Sequence, residues 1–441
     1  MATTTAPTRD DSKNRTKASS EVVCLFLILA LALLAHLTVR EFTDPAPFGD
    51  ELRYLEQAVA FASGQPMYPD DIVKNPPLFP VLLSLLLRAG VPEQGLALLS
   101  ITMMVLAAGF LFLVLRRFLA LPAATLLACV FTLYPPNLLL GSRIMTEPLA
   151  AMLLLLVCIQ LFDARPGNLP SLPKLLTTAA LLALLALTKP VFAYAFVVAI
   201  IICVLLALIT NAATRKFRLR LCLILSLALL ACTPYLTFTH SLTGKYFAWV
   251  TSDAEHIYWM SIGGEDIWGN WLPVYEARNH QILIDAGVAN ELDAAASMDA
   301  AAASTYLRNR AFERISADPL SYLRNVVANT TRLLFNYPFS FRPQSLLTYG
   351  YVLPNMILYL ALLVSVALLP VTIRHQNRGL IAVVVLSLIY LCGNLPVSSA
   401  ARQGVVVFGP LLLWIAYQSH ILLRLGYVNQ RGLRSAQRSQ E

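Results

Sequence analysis

The sequence predicts an all-α polytopic membrane protein, with about ten transmembrane helices and two long external loops that carry amphipathic juxtamembrane helices. Three observations predict it. Charged residues are 13% of the chain and hydrophobic residues 57%, whereas a soluble domain is about 25% charged. The apolar residues are gathered in runs close to the roughly 20 residues that a helix needs to cross the hydrocarbon core. The Lys and Arg residues collect in alternate short loops, the asymmetry that sets orientation in a bilayer. The net charge of +8 therefore reports membrane topology and not nucleic-acid binding.

Residues 1–21 form a polar tail with Arg9, Lys13, Arg15 and Lys17. The apolar run 22–39 is longer than the core of a signal peptide, about 7–15 residues, and Ala35-His36-Leu37-Thr38-Val39-Arg40 offers no small-residue cleavage site; it reads as an uncleaved first helix. The remaining spans are expected at 95–115, 122–140, 147–162, 172–188, 191–209, 221–239, 350–370, 380–396 and 404–423. Residues 172–209 are too long for one straight span, and Pro190 favours a break there.

Charge supports the split. Ten spans place Arg116-Arg117, Arg165 with Lys174, the bases from Arg215 to Arg220, Arg374 with Arg378 and both termini on one side. That side holds more than half of the 33 Lys and Arg residues. The short loops opposite carry one base each: Arg143, Lys189 and Arg402. The positive-inside rule then makes both termini cytoplasmic. The expected organisation is a cytoplasmic tail at 1–21, a membrane module at 22–239 with a first external loop at 40–94, a second external loop at 240–349, C-terminal membrane helices at 350–423 and a basic cytoplasmic tail at 424–441. A bacterial inner membrane, with the loops in the periplasm, is the expected setting. All seven cysteines lie in apolar runs without a C-x-x-C pair, which marks them as small buried hydrophobes.

The first external loop opens with Asp50-Glu51. Leu52, Leu55, Val59 and Ala62 recur at helical spacing, predicting an amphipathic helix of about three turns along the membrane surface. Asp50 at its start reads either as an N-cap or as a functional acid. The capping box is incomplete, because Arg53 stands where Glu or Gln belongs. Pro76, Pro77 and Pro80 stiffen the entry to a second helix at 78–88. Lys74 beside them is either a solvated lysine or a cation for a phosphate.

Other ionisable residues reach the same outer face. Glu147 precedes Pro148 at a helix start, a favourable place for an acid, and an Arg143–Glu147 pair is one expectation. Lys189 sits at the tip of an apolar hairpin, and ionisable residues in such positions usually face a cavity and act there. Arg402 precedes the last span. Acids and bases converging on one face suit a transfer with a phosphate leaving group: the bases neutralise the departing phosphate, and a carboxylate takes the proton of an attacking hydroxyl. An ordinary aspartate is a weak base, so burial is expected to raise the value for Asp50.

In this order the residues resemble a family. A first span is followed by Asp50-Glu51 with Tyr54 one turn on, then a Pro-Pro-Leu turn, Thr146-Glu147-Pro148, Thr188-Lys189-Pro190, and Arg402 before Pro410. The chain is similar to the GT-C glycosyltransferases of the protein O-mannosyltransferase and lipid A aminoarabinose transferase type, over about 40–210 and more thinly over 305–425. Asp318–Arg324 resembles the membrane-approaching helix of these enzymes. The resemblance implies inverting transfer of a sugar from a polyprenyl-phosphate donor to a hydroxyl or phosphate acceptor on a lipid, glycan or protein, at the external face. It implies Asp50 as the catalytic acidic residue with Glu51 beside it, and Lys74, Arg143, Glu147, Lys189, Arg402 and Tyr54 around the donor phosphate and sugar. Two positions depart from the pattern: Asn75 directly before Pro76, where relatives often carry Lys or His, and Gln403 after Arg402, where an aromatic is frequent. The cofactor expectation stays open between none and a divalent metal ion held by Asp50 and Glu51.

Four of the five tryptophans lie in Trp249–Trp271, with Asp253, Glu255, His256, Glu265 and Asp266. They read either as sugar-stacking platforms or as interfacial anchors. Residues 290–303 read as an alanine-rich helix. The alternative function is a multi-pass transporter or flippase for a lipid or a polyprenol-linked sugar. That reading calls for broken polar helices and inverted repeats, and the spans here are clean apart from Lys189-Pro190.

Overall fold

The computed structural model describes residues 9–43, 47, 49–68, 73–162, 171–210, 212–251, 254–263, 267–272, 277, 279–337 and 346–438. Among these it is helical throughout, without a strand. The membrane part opens with α1 (Arg9–Glu41). The first long loop holds α2 (Asp50–Ala62) and α3 (Leu78–Arg88). Next come α4 (Ala97–Leu115), α5 (Leu121–Thr132), α6 (Pro135–Gly141), α7 (Thr146–Phe162), α8 (Leu172–Ala186), α9 (Val191–Leu208), α10 (Ala212–Ala231) and α11 (Thr233–Thr243). The second loop carries α12 (Ala254–Ser261), α13 (Val288–Ala296), α14 (Ala300–Ala317) and α15 (Pro319–Phe335). The chain re-enters the bundle through α16 (Leu346–Ala367), α17 (Arg378–Gly393) and α18 (Arg402–Arg438).

Five helices are long and apolar enough to span a bilayer, in Ser19–Glu41, Glu93–Leu115, Val191–Leu208, Tyr349–Ala367 and Arg402–Tyr427. Two bent pairs raise the count to seven: α5 with α6, at 57°, and α10 with α11, at 53°. Proline sets both bends, because Pro135 and Pro136 open α6 and Pro234 opens α11, where a missing N–H costs a helix nothing. The remaining expected spans are the shorter apolar helices α7, α8 and α17, of 17, 15 and 16 residues. Length alone gives five to seven spans, and the chain is an integral membrane protein.

The bundle is centred on α7, which packs on α4, α8, α17 and α18 and buries most of its length. Close approach depends on small residues, as is usual between membrane helices. A Cβ on Gly379 would collide with the Leu161 carbonyl at the end of α7, and one on Gly141 would collide with the His36 ring of α1. A second, smaller core in the second long loop gathers Ala254, Tyr258, Trp259, Ile262, Leu292 and Leu307.

Three sequence expectations change here. On α2 the buried residues are Glu51, Tyr54, Gln57 and Ala58, whereas Leu52 of the apolar stripe is exposed. The inward face is mixed: Tyr54 and Ala58 join the core and Leu55 packs against it, with Glu51 and Gln57 buried beside them, while Glu56 joins Leu52 on the exposed face. The alanine-rich stretch is two helices and not one. Asp299 interrupts it by accepting the Ala302 N–H at 2.8 Å as an N-cap. Trp249 and Trp259 are fully buried, serving neither as sugar platforms nor as interfacial anchors. Asp253, Glu265 and Asp266 lie outside the described residues.

Candidate active site

Asp50 is the first residue of α2. Gly49 before it has φ 59°, a left-handed conformation that glycine adopts without penalty, and it turns the loop into the helix. No side chain caps this end. Asp50 is therefore not an N-cap; its carboxylate faces two guanidiniums. Arg53, one turn on, approaches at 2.9 Å, so the residue that spoils the capping box is a partner of the acid it follows. Arg402 pairs with the other carboxylate oxygen.

Arg402 enters from the far end of the chain, and its approach is held by α15. Asn329 of α15 is fully buried. Its Nδ2 donates to the carbonyls of Asn394, Leu395 and Val397 at 3.1, 3.0 and 2.8 Å, and its Oδ1 accepts the Ser399 N–H at 3.1 Å. Tyr322 donates to the Pro396 carbonyl at 2.9 Å. One side chain thus pins the loop that delivers Arg402 to the start of α18.

Arg402 also lies 3.6 Å from Glu147. Glu147 sits in the first turn of α7, where the helix dipole favours a negative charge, and it is almost fully buried. Lys189 donates to it at 2.8 Å. Arg53, Asp50, Arg402, Glu147 and Lys189 form one continuous chain of alternating charge. Tyr54 lies one turn below Asp50, with its hydroxyl 3.4 Å from Thr146 Oγ1 and its ring edge-on to Phe79. Burial, followed by the nearby carboxylates of Asp50 and Glu147, raises the Tyr54 phenol and keeps it protonated.

Arg143 does not pair with Glu147. It binds Glu51 at 2.6 Å, because consecutive residues on a helix diverge by about 100° and Glu51 leaves α2 in another direction from Asp50. Lys74 stands apart: it is exposed and forms no ion pair among the described residues. The structure thus gathers Asp50, Tyr54, Glu147, Lys189 and Arg402, puts Glu51 with Arg143 beside them, and leaves Lys74 out.

Electrostatics reverse one expectation. Burial does push the Asp50 carboxyl up, but Arg402 and Arg53 together outweigh it and hold the group at about 2, well below the ordinary value of 3.8. At rest Asp50 is a fully ionised and weakly basic carboxylate. His256 also belongs to this neighbourhood. Its carbonyl accepts the Ser398 N–H at 3.2 Å. Its imidazole is exposed, near the charges of Glu255, Asp50 and Arg402. The carboxylate of Glu255 beside it accepts the Trp271 indole N–H at 2.8 Å.

A divalent metal does not fit Asp50 and Glu51 as they stand. The two carboxylates diverge, and each is already engaged by arginine. No cluster of three His, Cys, Asp or Glu suited to a metal occurs among the described residues.

No family profile and no curated protein matches the sequence. Among solved structures the chain is similar to ArnT from Cupriavidus metallidurans bound to undecaprenyl phosphate, at 14% identity over 89% of this chain and 77% of that one, with a TM-score of 0.40. The apo state of the same protein gives 14% identity over 91% and 78%, with a TM-score of 0.41. The archaeal oligosaccharyltransferase AglB from Archaeoglobus fulgidus, in complex with an inhibitory peptide and a dolichol-phosphate, gives 14% over 93% of this chain, with a TM-score of 0.49. This chain spans 52% of the length of AglB.

Proposed function

We propose that this protein is a GT-C-type membrane glycosyltransferase that moves a sugar from a polyprenyl-phosphate-linked donor to a hydroxyl or phosphate acceptor at the external face, with inversion. The observation that carries the reading is Arg402, shared between Asp50 of the first external loop and Glu147 at the mouth of the bundle. A cation with two carboxylate partners can exchange one of them for a phosphate without being left uncompensated.

In this reading the donor's phosphate draws Arg402, with Lys189, away from the carboxylates. Asp50 then loses its strongest neutralising partner, and burial raises its basicity when a base is needed. With a hydroxyl acceptor, the oxygen attacks the anomeric carbon from the face opposite the phosphate. The bond from that carbon to the phosphate oxygen breaks, its electron pair leaves with the polyprenyl phosphate, and the hydroxyl proton passes to Asp50. Arg402 and Lys189 stabilise the departing charge. Glu51 with Arg143 anchors α2 so that Asp50 keeps its place. The residues form no metal site as they stand, and no step here uses one.

The test is Asp50→Asn in proteoliposomes supplied with a polyprenyl-phosphate sugar and acceptor. Transfer should fall by about 10²–10⁴-fold, the usual contribution of general-base catalysis, in protein that still melts cooperatively in detergent. Undiminished transfer would remove Asp50 from the chemistry. Movement of the lipid-linked sugar across the membrane without a new glycosidic bond would favour a transporter instead.

A further inference from the structure

The end of the bundle opposite the candidate site holds a second cavity, of about 420 Å³. Two helices measure the separation. From Glu147 to Phe162 along α7, and from Arg402 to His420 along α18, a rise of 1.5 Å per residue gives about 22 and 27 Å, close to the thickness of a hydrocarbon core. The cavity therefore lies at the depth of the opposite headgroups.

Its walls are aromatic. Phe118 stacks on Phe162 with ring centroids 5.7 Å apart, and Tyr417 stands edge-on to Phe118 at 5.1 Å. Its polar lining is cationic: Arg117 and Arg424, with the imidazoles of His375 and His420. Arg117 is braced in place, lying 5.9 Å from the Phe162 ring centroid and donating to the Ile159 carbonyl at 3.3 Å. Arg424 is exposed. No acidic residue lines the cavity among the described residues.

We propose that this cavity binds the phosphodiester headgroup of an anionic phospholipid. Two guanidiniums match phosphate oxygens in charge and fork geometry. The aromatic walls fit the glycerol carbons. Basic pockets between membrane helices recognise anionic headgroups in this way. The depth of the cavity, level with the headgroups opposite the candidate site, selects a lipid over a soluble phosphate. The proposal is independent of the transfer reaction, because the cavity and the candidate active site are on opposite sides of the bundle.

The experiment is native mass spectrometry of the full chain in detergent, with phosphatidylglycerol, phosphatidylcholine or inorganic phosphate added. The wild type should retain phosphatidylglycerol in preference to phosphatidylcholine. The Arg117→Gln/Arg424→Gln double variant should retain about tenfold less or worse, as expected for the loss of charge-assisted hydrogen bonds. Arg215→Gln/Lys216→Gln, which removes equal charge from another loop, should retain as much as wild type. Arg424→Gln alone, at an exposed position where folding is unaffected, should also weaken retention. Equal retention by wild type and both Arg424 variants would overturn the proposal. So would equal binding of phosphatidylcholine, or displacement of the lipid by millimolar inorganic phosphate.

Discussion

Asp50 at rest is held in its charged form by the arginines it touches, and this has a measurable signature. Its folded-state value, about 2, is below the ordinary 3.8. A depressed carboxyl contributes stability that is complete above the ordinary value and is lost as pH falls through the folded one. The contribution, about 2 kcal/mol, should therefore disappear between roughly pH 4 and pH 2. Arg402→Gln removes the main opposing charge and leaves burial in place. The Asp50 carboxyl should then titrate at least one unit higher by carboxyl-labelled NMR, and transfer should fall about 10²–10³-fold through loss of the phosphate partner. Lys189 and Glu147 make a second test. Lys189→Met alone leaves the buried Glu147 carboxylate with only its longer contact to Arg402 and should cost up to about 3–5 kcal/mol, whereas Lys189→Met with Glu147→Gln should recover much of that loss. Thermal melting of the three variants gives the comparison.

At the scale of elements, the helices were legible in the sequence wherever a proline or a charge marked their ends. Pro190 separates α8 from α9, whereas the span expected at 122–140 is bent by 57° where Pro135 and Pro136 open α6, a break that was not expected. The face of α2 was less legible. Periodicity identifies an apolar stripe on that helix but does not say whether protein or lipid receives it, and here Tyr54 and Glu51 turn inward while Leu52 turns out. The convergence of Asp50, Glu147, Lys189 and Arg402 followed from topology, since each stands at the same end of its helix. Their pairing did not, because Arg143 and Lys189 reach their partners by side-chain geometry that spacing does not encode. Asn329 was invisible for a related reason: a polar residue on an amphipathic helix resembles any other until the loop it holds is known. Asn329→Ala leaves three carbonyls of that loop without their shared donor. It should cost about 1–3 kcal/mol and reduce transfer mainly through kcat, as the placement of Arg402 loosens. A purely structural role would lower the melting temperature and leave the kinetics of the remaining folded protein unchanged.

For the whole molecule, the two ends of the bundle differ in kind. One end carries balanced acids and bases under the helices of the long loops, and the other carries Arg117, Arg424, His375 and His420 around a cavity. In a background with the seven cysteines replaced, single cysteines at Glu56 on α2 and at Arg374 before α17, both exposed, should react with an impermeant maleimide from opposite faces of sealed, oriented vesicles. Labelling of both from one face would contradict a bundle that crosses the membrane between them.

The candidate active site sets four bases, Arg53, Arg143, Lys189 and Arg402, against three acids, Asp50, Glu51 and Glu147. The donor of the proposed reaction is a phosphodiester with a single negative charge. The polyprenyl phosphate left behind is a monoester whose second ionisation lies near neutrality, at about 6. A site with a surplus of positive charge holds the more highly charged of the two more tightly. Catalytic turnover would then be paced by departure of the spent carrier and not by bond making, and the free carrier phosphate would compete with the donor more strongly as the pH rises through that ionisation.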